Sequence, residues 1–483
     1  MKKKTMIQAF EWYINHDDAY YKNMLEKVKL IKALGIDQVW LPPAFKGQKG
    51  IHDSGYGVYD LYDLGAFDQK GTIETKYGHE ADYLKLIEAI KKADLELIVD
   101  VVLNHRLGAD ATERVLAKEV DMDNRYLIKD TKEIEAWTRF DFEGRNNQYS
   151  DFKWNKNHFK AVDFDVLNQK NAIYLFEDKS WDLLVDSENF NYDYLMGADV
   201  DFYNEAVQEE LLRWMVWYYE LTGFNGVRLD AIKHIDARFL KVALRKLREL
   251  NSDIFAVGEY WSGDLKSLHD HLMDTDFSMQ LFDVPLHYNL VNASEYPNFD
   301  LRTLYNGTIV SNNPNFAVTF VDNHDTQVGQ SLESWVQGWF KLHAYAFILL
   351  REGGIPSVFY ADLFGSNHEA MPAVKNLDKI LYLRKDHMVG SFFDYMDEPH
   401  TIGWCFTGDE TGEGFVSVLN INDRTIKRMF VGVRNAGSVF VDCLSEDPKH
   451  VTIDQHGIGY FPVEKRSLSV YVKKEGNYSE SIL

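Results

Sequence analysis

The stretch Leu95-Glu-Leu-Ile-Val-Asp-Val-Val-Leu103, followed at once by Asn104 and His105, decides the fold. It is too short and too β-branched for an independent helix. It reads as a strand buried on both faces, as strands of parallel sheets are. Residues 81–93 before it carry a helical pattern, so the run closes one helix–strand step. Working back toward the N-terminus, residues 37–41 read as a strand. Residues 20–34 read as a helix stopped by Gly35, and residues 6–10 as the first strand.

Past Asn104 the alternation breaks, and residues 104–205 are polar, aromatic and irregular. It resumes with a helix at 205–221, a strand at 224–229, a helix at 238–250 and a strand at 254–258. Further strands are expected at 280–284, 317–321 and 355–360, the last preceded by a helix at 336–350. Eight such steps predict an α/β fold, a (β/α)8 TIM barrel built from residues 1–103 and 206–393. An inserted, β-rich domain at 104–205 follows strand three. Short alternating runs at 414–419 and 467–472 predict a C-terminal all-β domain over 394–483.

Composition narrows the function. The formal charge of −23 and the lack of clustered Lys and Arg argue against nucleic acid as a partner. Two cysteines, Cys405 and Cys443, are too few for a disulfide framework or a thiolate metal site. No run approaches 18 apolar residues, so no membrane span is expected. Lys2, Lys3 and Lys4 are not followed by an apolar segment; no leader is expected, and the cytoplasm is the expected compartment. Aromatic residues make up 14% of the chain, a surplus that suits grooves for flat ligands such as sugars.

Barrel enzymes carry their chemistry where strands end. Strand three ends in Asp100-Val-Val-Leu-Asn104-His105, strand four in Arg228-Leu-Asp230-Ala-Ile-Lys233-His234, strand five in Glu259-Tyr260-Trp261 and strand seven in Asp322-Asn323-His324-Asp325. Paired carboxylates at one barrel mouth suit glycoside hydrolysis, in which one attacks and the other protonates the leaving oxygen. Arg228 and Asp230, two apart on a strand, share a face, so the guanidinium is expected to keep Asp230 ionised as the nucleophile. Glu259 has the apolar neighbours that raise a carboxyl pKa, which suits the acid.

These strand ends, read as DVVLNH, GVRLDAIKH, VGEYW and FVDNHD, resemble the four signature regions of the α-amylase superfamily of glycoside hydrolases. The segments at 53–67, 154–159, 191–196, 282–288 and 326–334 extend the resemblance across nearly the whole chain, toward the bacterial liquefying-type α-amylases. The resemblance implies a retaining, endo-acting hydrolase of α-1,4-glucans. Asp230 is the implied nucleophile, Glu259 the acid/base and Asp325 the transition-state stabiliser. It also implies that Tyr56, His105, Arg228 and His324 surround the sugar at the cleavage point, and that Tyr192, Leu195, Lys233 and Trp261 line neighbouring subsites. An α-glucan transferase or maltogenic enzyme of the same superfamily would share these residues, and a silent glucan-binding protein would keep only the groove.

The resemblance further implies a structural Ca²⁺ between barrel and insertion. Its ligands would be Asp193, Asp199, the Asn104 side chain and the His234 backbone carbonyl, a hard-oxygen set. Relatives of this type often hold more cations in the insertion. Here Lys160 and Tyr203 stand at two acidic ligand positions, and Asp397-Glu398-Pro399-His400 alters a third region. One calcium is therefore expected, with the Lys160 ammonium set among Asp182, Asp201 and Asp163 in place of a metal.

Overall fold

The computed structural model describes residues 3–368 and 371–474. Eight parallel strands close into a barrel in chain order: β1 (Met6–Gln8), β2 (Gln38–Trp40), β3 (Glu96–Val101), β4 (Gly226–Leu229), β5 (Phe255–Gly258), β6 (Gln280–Phe282), β7 (Ala317–Phe320) and β8 (Ile355–Phe359). The chain divides into two compact units, residues 14–28 with 39–282, and residues 1–13 with 29–38 and 283–483.

In the first of these units β3, β4 and β5 pair in register, Gly226 against Ile98 and Arg228 against both Asp100 and Val257. Leu97, Ile98, Val99 and Val101 are buried, which accounts for the apolar, β-branched run. Gly258 sits in a tight space at the end of β5. A Cβ there would lie 2.3 Å from Ile232 Cδ1 and 2.9 Å from Met279 Sδ, so the turn after β4 packs directly on the backbone that presents Glu259.

Residues 105–200 contribute a six-stranded sheet in the order His105–Arg106, Ala198–Val200, Phe159–Asp165, Lys170–Phe176, Ala111–Val120, Ile128–Arg139. Asp199 pairs with His105 on one side and Ala161 on the other. That register draws the end of β3, Lys160 and the 193–199 segment to one place.

In the second unit β1 pairs with β8 and β8 with β7. The helix expected from residue 336 begins only at Lys341 and runs to Leu349. The Val336 amide donates to Asp322 Oδ1 and the Gln337 amide to Ser294 Oγ, so side chains hold this segment as a loop. Beyond Phe392 the strands are antiparallel, in a six-stranded and a two-stranded sheet. Cys405, Val416 and Tyr471 of the first sheet bury against Met429 and Phe461 of the second, each large apolar side chain contributing about 1.5–3 kcal/mol. Among the described residues no helix is long and apolar enough to cross a membrane.

Candidate active site

Four charged groups meet at the ends of β3, β4 and β5. Arg228, fully buried, donates from Nη1 to Asp230 Oδ1 at 2.6 Å and to Asp100 Oδ1 at 3.0 Å, and its Nη2 lies 2.8 Å from Glu259 Oε2. The backbone sets this geometry. The Asp230 amide donates to the Val101 carbonyl and the Glu259 amide to the Leu229 carbonyl, locking the strand ends together. Ala231 then turns into the left-handed region at φ +48°, and its amide reaches Glu259 Oε2 at 3.2 Å.

One cation faces three carboxyls, so the cluster cannot hold all three ionised at low cost. Donor count decides among them. Asp100 accepts from Trp40 Nε1, Tyr56 Oη and Arg228. Asp230 accepts the shortest Arg228 bond. Both Glu259 contacts fall on Oε2, and its carboxyl bonds to Asp230 in a way that lowers Asp230 and raises Glu259. Burial pushes both upward; Asp230, opposed chiefly by Arg228, settles at about 6. Both carboxyls are thus held above the ordinary range by burial, Asp230 under the shortest Arg228 contact and Glu259 with both of its contacts on one oxygen. Arg228 touches both residues, so it does not tell them apart as the i, i+2 argument expected.

Asp100 and Trp40 were not among the sequence candidates. A carboxylate inside an apolar strand was the available signal, because a buried charge requires partners. Tyr56 joins through Asp100, and its carbonyl accepts from His105 Nε2 at 2.8 Å. Burial pushes His105 down to about 4, so the ring is neutral and presents Nδ1 as an acceptor.

A second group of candidates follows β4. Lys233 donates to Glu188 Oε2 at 3.0 Å and to the Trp261 carbonyl at 3.3 Å, with its ammonium 4.6 Å from the centre of the Tyr192 ring. His234 donates from Nδ1 to the Tyr192 carbonyl at 2.6 Å. Leu195 is half-buried in the same segment. In the other unit His324 follows β7. Gln8 donates to its Nδ1 at 2.9 Å, which leaves the ring proton on Nε2, 3.3 Å from Asp325 Oδ2. The Asp325 carboxylate keeps 18% of its surface exposed, and Trp12 stacks on His324.

The insertion corrects one expectation. Lys160 meets Asp182 as expected, but Asp193 and Asp199 stand beside it in place of Asp201 and Asp163. Its Nζ, buried with the rest of the side chain, lies 2.6 and 2.7 Å from the two Asp193 oxygens, 2.8 Å from Asp182 Oδ2 and 3.8 Å from Asp199 Oδ2. Asp201 instead pairs with Lys179 at 2.7 Å, and Asp163 accepts the Gly197 amide. Lys160 lies at a register shift between the Ala161–Asp199 and Phe159–Val200 pairs, where the regular alternation of side chains is interrupted. Burial alone would lower the Lys160 pKa, but Asp193, Asp199 and Asp182 outweigh it and raise it.

The residues nevertheless fit one divalent cation. Asn104 Oδ1 and both Asp199 carboxylate oxygens are buried without a hydrogen-bond partner. Asp182, Asp193 and Asp199 share one ammonium and burial raises all three carboxyl pKa values, so a bound cation would favour their ionised forms. Among the described residues no three His, Cys, Asp or Glu side chains form a metal-ligating group. The set offered here is instead amide, carbonyl and carboxylate oxygen, as hard cations accept.

The family described as alpha amylase, catalytic domain, matches residues 20–380. The chain is similar to an α-amylase of Geobacillus stearothermophilus, 44% identical over 98% of this chain and 88% of that protein. It is 37% identical to a cytoplasmic α-amylase of Escherichia coli, over 98% of this chain and all of the other. A solved Anoxybacillus α-amylase shares the fold at TM-score 0.63 and 18% identity, covering 99% of this chain and 97% of that one. The chain belongs to the α-amylase family of glycoside hydrolases.

Proposed function

We propose that this hydrolase cuts internal α-1,4 bonds of starch, glycogen and maltooligosaccharides by double displacement. The observation that carries the reading is the pair of buried carboxyls, Asp230 and Glu259, both held by one buried arginine. Glu259, holding the proton, gives it to the leaving glycosidic oxygen. Asp230, kept ionised by Arg228, attacks the anomeric carbon and forms a β-linked ester. Glu259, now a carboxylate, takes a proton from water, which displaces Asp230 and restores the α-configuration. Asp100 and Trp40 position Arg228. Asp325, at the end of β7, is assigned to the sugar hydroxyls, whose hydrogen bonds strengthen as charge develops in the ring, with Tyr56, His105 and His324 around the same ring.

A Ca²⁺ held by Asn104, Asp193, Asp199 and the His234 carbonyl would supply charge neutralisation and no chemistry. The cytoplasm is the proposed compartment, supported by the Escherichia coli relative described as cytoplasmic. Proton NMR of fresh product tests the mechanism: the α-anomer is expected first, and an initial β-anomer rules out double displacement.

The pH profile follows from the same pair. Asp230 must be ionised to attack, and its pKa is pushed up to about 6. kcat/KM should therefore fall as pH drops through about 6, rather than through the ordinary aspartate range near 4. An acid limb centred near 4 would contradict the assigned protonation states.

A further inference from the structure

Between the strands Lys170–Phe176 and Ala198–Val200 of the inserted sheet, residues 186–193 form a loop tied down on both sides of Phe190. The Asp186 amide donates to the Lys233 carbonyl, and the Tyr192 amide returns to the Asp186 carbonyl. Tyr260 Oη donates to Asp186 Oδ2 at 2.6 Å. Glu188 takes the Lys233 ammonium, the Asn189 carbonyl accepts the Arg125 amide, and Asn191 Nδ2 donates to the Asp182 carbonyl. At the apex Asn189 and Phe190 both stand in the left-handed region, at φ +52° and +67°.

Phe190 is anomalous on two counts. A bulky residue at this φ is sterically disfavoured where glycine would be free. Its side chain is 68% exposed, the most exposed aromatic ring among the described residues, so burial does not offset the strain. Strain kept at no gain to folding points to a gain in binding. The loop's anchors show where such binding would act. Tyr260 and Trp261 directly follow Glu259, and Lys233 lies three residues past Asp230. Glu259 protonates the leaving oxygen, so the departing half of the glucan leaves past these residues.

We propose that Phe190 is a stacking platform for the leaving-group half of the glucan, held out by its rigid loop to meet the apolar C–H face of a glucose ring. The proposal rests on the roles assigned above to Asp230 and Glu259. It makes Phe190 a specificity residue: it retains the departing sugar, sets which internal bond is cut, and keeps an acceptor sugar near the ester in competition with water.

Phe190→Ala, Phe190→Trp and Phe190→Gly would be compared with the parent on maltoheptaose and on an aryl α-maltotrioside, whose leaving group carries no sugar. Phe190→Ala should lose about tenfold in kcat/KM on maltoheptaose, mainly through KM, and leave the aryl substrate unchanged; Phe190→Trp should restore it. On reducing-end-labelled maltohexaose the cuts should shift toward shorter labelled products. Phe190→Gly should show the same kinetic loss while melting no lower than the parent, because glycine relieves the strain. Unchanged maltoheptaose kinetics in Phe190→Ala, equal losses on both substrates, or a lower melting temperature in Phe190→Gly would each overturn the platform. A parent inactive on both substrates would instead overturn the hydrolase reading on which it rests.

Discussion

Asp230→Asn and Glu259→Gln should each lower kcat by several orders of magnitude while the protein stays folded. Each removes a group whose work is done in the transition state, and single losses from a unit of this kind are nearly as severe as joint ones. Stability should move differently. A carboxylate whose folded pKa lies above its unfolded value destabilises the fold increasingly as pH rises from the unfolded value toward the folded one. Asp230 is raised to about 6, so at neutral pH its ionisation works against folding. Asp230→Asn removes that charge and leaves Arg228 with Asp100 and Glu259. The variant should therefore unfold no earlier than the parent at pH 7. Azide should partly rescue Asp230→Gly and give a β-configured product, since an external anion then takes the place of the missing nucleophile. Starch hydrolysis at near-parental rate by either carboxylate variant would remove the assignment.

The second large effect is expected at Lys160. Breaking a buried ion pair by deleting one partner leaves the other charge stranded, at a cost of about 3–5 kcal/mol. Lys160 serves Asp193 and Asp182 directly, with Asp199 close by. Lys160→Met, which keeps most of the volume, should thus destabilise nearly as much as Lys160→Ala, showing that charge and not packing is lost. The raised Lys160 pKa means that its contribution is complete at neutral pH and fades only in strong alkali. Lys160→Asp should make stability depend more steeply on calcium than in the parent and raise the number of tightly held metals per chain above the single ion expected for the parent. Thermal unfolding with and without chelator, together with elemental analysis, reads both effects. A Lys160→Met variant as stable as the parent, or a parent that already holds a second tight metal beside Asp182, would show that the ammonium does not stand in for a cation.

Calcium removal gives a separate check. With Asn104 Oδ1 and the Asp199 carboxylate otherwise lacking hydrogen-bond partners, chelation should lower the melting temperature of the parent, and Asp199→Ala should abolish that sensitivity. Indifference of the parent to chelator would count against an ion at this position.

The barrel was legible because its signal is local. A run such as residues 95–103 declares a strand through its own side chains, and the helical pattern of 81–93 does the same for its neighbour. Two of the candidate site residues stand out for a related reason: Asp230 and Glu259 each follow an apolar run directly, whereas Asp325 closes the polar run that begins at Asp322. The helix start at Lys341 was not legible, because the amides of Val336 and Gln337 are satisfied by Asp322 and Ser294 and not by their own segment.

What the sequence determined by itself is therefore the order of elements, the strand ends that bear carboxylates, and the presence of a lysine where a metal ligand was expected. Tertiary structure alone decided how those charges are shared. Asp100 reaches Arg228 across 128 positions of chain, so one guanidinium is shared among Asp100, Asp230 and Glu259. Lys160 meets Asp193 and Asp199 where the inserted sheet's register shifts beside it. Phe190 stands at a disfavoured φ because its loop is anchored from several elements at once. Periodicity is written among near neighbours, whereas desolvation and charge pairing depend on which distant segments share a buried volume, and that is set only when the chain has folded.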